Sequence, residues 1–329
     1  MAESVVRRGK AGLLRVGRRR GEQRFALALM TPALLVTLLV TLVPLLYALY
    51  LSFHKAEIVV VGGRGGLLTE FAGLKNYLYF LRDSRFWYSV RLTSYFTITS
   101  LLIEMVAGIG MALVLNEEFF GRGIVRALFI LPWAVPTVVN ARMWGLIFEP
   151  HAYGALNGLL QTLHILGPTE TLNFLAPIPI FQNVPLLGEI TSWLGATQGI
   201  NWLIIGDTWK VLPVVALLTL AGLQTIPREL YEAAEVDGAN AWQRFWLITL
   251  LRLRPVLVVI LVYRTMELFR VFDIIYILMA YTIPVLAIET FRQAFVFGLF
   301  GKGSAIAFLI GLLILLVAFI YIRLIYVEE

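Results

Sequence analysis

Four ionisable residues lie at three-residue spacing in an otherwise apolar stretch: Arg264, Glu267, Arg270 and Asp273. On a helix, neighbours three apart are turned by about 60°, so each can meet the next of opposite sign and the set is formally neutral. An isolated charge at mid-bilayer costs at least ~2.5–3.5 kcal/mol, so a self-neutralising ladder facing the protein interior is expected. Two chemistries are open to it: an ion-pair ladder that fixes helix packing, or exposed members that hydrogen-bond a hydroxyl-rich solute. Glu104, alone in a second apolar stretch, suits a proton relay, or else a charge pair with Arg142 or Lys210 across helices.

Other chemistry is poorly supplied. There is no cysteine, and the three histidines (His54, His151, His164) are scattered, so neither a metal site nor an H-E-x-x-H enzyme is expected. Gly301-Lys302-Gly303-Ser304 imitates a phosphate loop, but the four-residue spacing before it is wrong. Gly62-Gly63-Arg64-Gly65-Gly66 reads as a flexible turn, because no strand-to-helix pattern accompanies it. The chain is expected to have no catalytic residue, no metal and no nucleotide site of its own.

The elements that must position these residues are membrane helices. Hydrophobic residues make up 59% of the 329, against roughly 45–50% in soluble domains. The mean hydropathy is +0.82. The net charge of +6 is concentrated in a basic tail, residues 1–24, rather than spread as a nucleic-acid surface. No nucleic-acid partner is therefore expected. Phe25 to Phe53 is uncharged and about 29 residues long, against roughly 20 needed to span a bilayer and 7–15 for a signal-peptide core.

Six spans are expected, near 25–53, 86–115, 123–148, 202–224, 255–280 and 303–327, giving an all-α polytopic domain over 25–329. Basic residues beside the first span place the N-terminus in the cytoplasm, and six crossings return the C-terminus there. Arg122, Arg126, Arg228, Arg244, Arg252 and Arg254 fall in the expected cytoplasmic connections, while 149–201 has no Lys or Arg. The external loop 54–85 is the exception, with Lys55, Arg64, Lys75, Arg82 and Arg85. The second external loop, 149–201, is broken by Pro168, Pro177, Pro179 and Pro185 and reads as short helices lying on the membrane surface.

Between the fourth and fifth spans lies a polar, alanine-rich connection, 225–254. Tyr231 to Val236 and Ala239 to Leu250 are good helix formers separated by Gly238, which can adopt backbone angles that other residues avoid. Small Ala233, Ala234 and Ala239 would let another protein approach closely. Glu232-Ala233-Ala234, Gly238, Ile248 and Leu250 resemble the EAA loop of binding-protein-dependent ABC importer permeases, with Leu251 where that pattern has proline.

The resemblance covers the whole chain and favours the carbohydrate branch. Pro44, Tyr47, Ser52 and Phe53 are similar to the end of that branch's first helix, and Phe71-Ala72-Gly73-Leu74-Lys75-Asn76-Tyr77 followed by Phe86-Trp87 to its external signature. Arg126, Leu131-Pro132-Trp133, Pro136 and Trp144 resemble its third helix. Trp209-Lys210, Pro213 and Leu220-Ala221-Gly222-Leu223 lead into the EAA loop as in the family. Tyr263-Arg264-Thr265 and the run from Phe269 to Tyr276 resemble the fifth helix of trehalose and maltose permeases. The family's T-x-G-G-P turn is replaced by Met279 to Pro284.

What the resemblance implies is a type I ABC importer permease in a bacterial or archaeal inner membrane, surrounded by lipid. A second permease chain, two ATPase subunits and an external solute-binding protein are the implied partners, with ATP and Mg bound by the ATPases. Coupling would pass through Glu232, Ala233, Ala234, Asp237, Gly238 and Ala239. A sugar, most readily a disaccharide, would pass Asn140, Trp144 and Trp209, whose amide and ring faces suit hydroxyls and sugar rings, with Arg264, Glu267, Arg270 and Asp273. Glycerol-3-phosphate or another solute of the branch is the alternative within transport. A proton-coupled secondary transporter is the alternative of another class; it predicts an internal repeat, which is not evident, and leaves the EAA loop unexplained.

Overall fold

A computed structural model describes residues 25–61 and 64–326. The basic tail and the Gly62-Gly63 pair lie outside the described residues. Among the described residues, five helices are long and apolar enough to cross a membrane: span 1, Phe25–Ser52; span 2, Ser84–Asn116; span 4, Gln198–Leu223; span 5, Ala241–Met279; and span 6, Phe300–Arg323. Span 3 is made of two pieces, Arg122–Ala134 and Thr137–Ile147, which meet at 90°. The third span was expected over 123–148. Pro136 explains the bend, since it cannot donate to the preceding turn and pushes Val135 into an extended conformation.

The core forms where spans 2, 4 and 5 cross. Leu92, Phe96, Ile200, Leu203, Ile204, Ile274 and Ile275 bury one cluster, and Ala112, Val215, Leu220, Leu253 and Ile260 a second. Spans 2 and 4 make the most extensive contact between helices. Gly108 permits it, because a Cβ there would stand 2.6 Å from Val215 Cγ1. Span 1 is almost wholly exposed along its apolar window and packs chiefly through its Val43–Ser52 end against span 6. A helix hydrophobic on every side and exposed on most of them needs lipid or another apolar membrane helix to cover it.

The connection after span 1 is more regular than the expected flexible turn. His54–Val61 (β1) pairs antiparallel with Arg64–Phe71 (β2), from His54 opposite Phe71 to Val61 opposite Arg64. The β-branched Ile58 to Val61 favours strand. Gly301 belongs to this packing and not to a phosphate loop: a Cβ there would lie 2.1 Å from the His54 carbonyl oxygen. In the loop 149–201 the chain forms two short helices, Ala155–Thr162 and Leu187–Leu194.

The two short helices expected around Gly238 are not equivalent. The first runs Arg228–Val236. The second does not exist as a separate element, because the helix that begins at Ala241 continues through a π-turn at Phe245–Thr249 directly into span 5. Pro255 is accommodated within the continuing helix.

Candidate functional site

Three carboxylates of the spans, Glu104, Asp207 and Glu267, converge on Arg264. It is 2% exposed and faces Glu104, which is fully buried. The guanidinium donates from Nε to Glu104 Oε2 at 2.7 Å and from Nη2 to Glu104 Oε1 at 2.6 Å, the bidentate fork that a carboxylate accepts best. Nη2 also reaches Asp207 Oδ2 at 3.2 Å, and Nη1 reaches Glu267 Oε2 at 2.5 Å. The Tyr263 hydroxyl donates to Glu267 Oε1 at 2.9 Å. One cation thus ties spans 2, 4 and 5 together.

This corrects two expectations. Glu104 pairs with Arg264, not with Arg142 or Lys210; Arg142 is exposed on span 3. The four-member ladder is realised only between Arg264 and Glu267. The helix stops at Leu268, residues 269–272 turn out of it, and Asp273 starts a new helix, Asp273–Met279. Arg270 and Asp273 therefore do not stack at one-turn spacing; Arg270 Nε instead donates to the Met266 carbonyl at 3.1 Å. An acid in the first turn of the new helix is favourably placed against its dipole.

The break in span 5 and the bend in span 3 open onto the same cavity, of about 380 Å³. Thr137 and Asn140 from span 3, Asp207 and Lys210 from span 4, and Arg264, Glu267, Arg270, Phe272 and Asp273 from span 5 line it. Irregular backbone at membrane depth is tolerated only where protein buries it or a polar cavity receives it. Asn140 donates to the Gly206 carbonyl at 3.4 Å and keeps a buried Oδ1 without a protein partner.

Of the expected path residues, Asn140, Arg264, Glu267, Arg270 and Asp273 share this cavity, while Trp144 and Trp209 do not line it. Their rings meet edge to face at 6.0 Å, and Trp144 continues through Phe148 (5.1 Å) to Trp202 and Phe174. This aromatic cluster fastens spans 3 and 4 to the loop 149–201. Asp207 was missed, although the signal that singled out Glu104, a lone acid in an apolar helix, is present in span 4 as well.

At the other end of the spans, the Arg228–Val236 turn is presented to solvent. Gly238 has φ +81° and reverses the chain. Asn240 caps the helix that follows, accepting from Gln243 N at 2.9 Å while Gln243 Oε1 accepts from Asn240 N at 2.8 Å. An Arg244–Glu235 ion pair and a Tyr231–Thr249 hydroxyl contact of 2.9 Å brace the turn from within. Glu232, Ala233, Asp237 and Gly238 remain exposed, beside Val236 (89%) and Trp242 (69%).

Residues 104–327 match the family described as binding-protein-dependent transport system inner membrane component. The trehalose/maltose transport system permease protein MalF of Thermococcus litoralis is 35% identical over 310 residues, which cover 92% of this chain and 94% of the relative. The trehalose transport system permease protein SugA of Mycobacterium tuberculosis is 33% identical over 329 residues, covering 98% and 96%. Among solved structures, a chain of a bacterial ABC transporter involved in the import of the acidic polysaccharide alginate superposes with a TM-score of 0.72 at 20% identity, over 94% of this chain and 98% of that one. At that identity the likeness is one of fold.

Proposed function

This chain belongs to the family of inner membrane components of binding-protein-dependent transport systems, and from that membership we propose that it forms half of the translocation path of an ATP-driven disaccharide importer. The chain is a multi-pass transport subunit rather than an enzyme. The reading of its substrate is supported by one observation, the cavity at the break of span 5. Its charged lining is balanced, with Asp207, Glu267 and Asp273 against Lys210, Arg264 and Arg270. Balanced donors and acceptors suit a neutral, hydroxyl-rich solute, and Asn140 adds an amide. A trehalose- or maltose-like disaccharide is the solute that this lining and the names of the relatives support together. An anion such as glycerol-3-phosphate would meet as many carboxylates as cations.

In this reading a second permease chain closes the cavity from the side that the bent span 3 leaves open. An external binding protein delivers the sugar, and two ATPase subunits bind ATP and Mg and dock on Glu232, Ala233, Ala234, Asp237, Gly238 and Ala239. Both chain termini then lie on the ATPase side. Because the helix after Gly238 runs through the π-turn and Pro255 without a break, a push on the turn is carried along one continuous helix to Arg264 and Glu267.

The test is reconstitution of the chain with its second permease and ATPase in proteoliposomes, with the binding protein and radiolabelled trehalose or maltose outside and ATP inside. Uptake that requires both ATP and the binding protein, and is not competed by glycerol-3-phosphate, is expected. Uptake by this chain alone under a pH gradient would overturn the reading.

A further inference from the structure

The first connection, 54–85, breaks the positive-inside pattern, and the structure shows what its cations build. The helix Lys75–Arg82 has two distinct faces. One is anchored: Asn76 Nδ2 donates to the carbonyls of Ser52 and His54 at 2.9 Å each, the Tyr77 hydroxyl donates to Ser52 Oγ at 2.7 Å, and Phe80 is fully buried. The other carries Lys75, Leu78, Tyr79 and Arg82, positions i, i+3, i+4 and i+7, and these line an open cavity of about 470 Å³ together with Asp83. A second cavity of about 260 Å³ shares Lys75 and Tyr79 and adds Lys55 and Lys302.

Lys302 is brought here from the start of span 6. The hairpin joins that region through Ile58 N to the Gly298 carbonyl at 3.0 Å, and the Lys302 ammonium stands 3.9 Å from the centre of the Tyr79 ring. Among the described residues, Lys75, Arg82 and Lys302 form no ion pair, whereas Lys55 is paired with Glu57 at 3.5 Å. The two cavities thus gather four cations against Glu57 and Asp83. Leu78, Tyr79, Leu81 and Trp87 are each close to half exposed beside them, and Trp87 Nε1 donates to the Leu81 carbonyl at 2.9 Å. Exposed Trp and Tyr next to the end of a membrane span mark the level of the lipid headgroups.

We propose that this face, at the end of the spans opposite the Arg228–Val236 turn, is a binding site for the phosphate headgroup of an anionic phospholipid. Lys75, Arg82 and Lys302 hold the phosphate oxygens, and Leu78, Tyr79 and Trp87 lie along the first acyl carbons. Cations with free N–H donors are what a phosphodiester requires, and an apolar stripe between them is what separates a lipid from a soluble phosphate. The site is independent of the sugar reading, because none of its residues touches the intramembrane cavity.

The test is native mass spectrometry of the assembled transporter in detergent, titrated with dioleoyl phosphatidylglycerol and, separately, dioleoyl phosphatidylcholine. Wild type is expected to retain phosphatidylglycerol at concentrations roughly tenfold lower than phosphatidylcholine. The triple variant Lys75→Gln/Arg82→Gln/Lys302→Gln is expected to lose that preference, and the charge-keeping pair Lys75→Arg/Arg82→Lys to retain it. The single variant Arg82→Gln, at an exposed position, serves if the triple variant assembles poorly, and should lower the preference by several-fold. Equal retention of both lipids by wild type, or an unchanged preference in the variants, overturns the proposal. So does displacement of the bound lipid by millimolar glycerol phosphate, which would make the site one for soluble phosphate. Weakened capture of the binding protein with lipid preference unchanged would make it a protein contact instead.

Discussion

Arg264 and Glu104, separated by 160 residues in sequence, meet in a bidentate pair with both side chains buried. The pair joins span 2 to span 5, with both side chains almost wholly shielded by protein. Removing one charge leaves the other buried and alone, which is costlier than never having had the pair.

Arg264→Met and Glu104→Leu are therefore each expected to lower the amount of folded complex sharply, by the equivalent of about 3–5 kcal/mol, whereas the double variant should recover part of the loss of Arg264→Met, Asp207 and Glu267 still lacking their cation. Fluorescence-detected size exclusion of the detergent-solubilised complex reads the outcome. Additive losses in the double variant would show that the two residues do not stabilise the fold through each other.

Glu267 is bound to the same cation but is 39% exposed at the cavity wall. Glu267→Gln keeps its size and an acceptor for Tyr263, so assembly should be normal. Sugar uptake should fall about tenfold, the value of one hydrogen bond to a charged group at ~1.5 kcal/mol. Normal uptake with normal assembly would remove Glu267 from the sugar path.

Gly238 has φ +81° and no atom within 4 Å of the position a Cβ would take. Gly238→Val is expected to strain the turn by about 1–2 kcal/mol, while Gly238→Asn, which accepts a left-handed backbone, relieves that strain but still adds a side chain to the surface. Both variants should insert into the membrane and fail to co-purify with the ATPase. If the asparagine variant keeps the ATPase and the valine variant loses it, the glycine serves backbone geometry alone.

Gly108 lets span 2 approach span 4 so closely that a larger residue must displace Val215. Gly108→Leu should cost about 1–3 kcal/mol and lower the thermal midpoint of the purified complex. Gly108→Ala should be milder, and combining it with Val215→Ala should restore the midpoint. A midpoint unchanged by Gly108→Leu would mean that the two spans are free to separate.

The places of the apolar segments, the exposed turn around Gly238, and Glu104 with the charges of the fifth span were legible along the chain, because each depends only on sequence neighbours. Hydrophobic run length, a glycine between two helix-forming stretches, and an acid where lipid is expected can all be read locally. Pro136 was visible in the sequence, but its 90° consequence was not. Whether Glu104 would face Arg142, Lys210 or Arg264 depends on how each span is rotated about its own axis, and that rotation is set by packing such as Gly108 against Val215. The end of the helix at Leu268 and its meeting with the bend of span 3 likewise required three spans in place. The cavity, and with it the membership of Asp207 and the exclusion of Trp144 and Trp209, was decided by tertiary structure alone, because a cavity is a property of how helices fit together and not of any one of them.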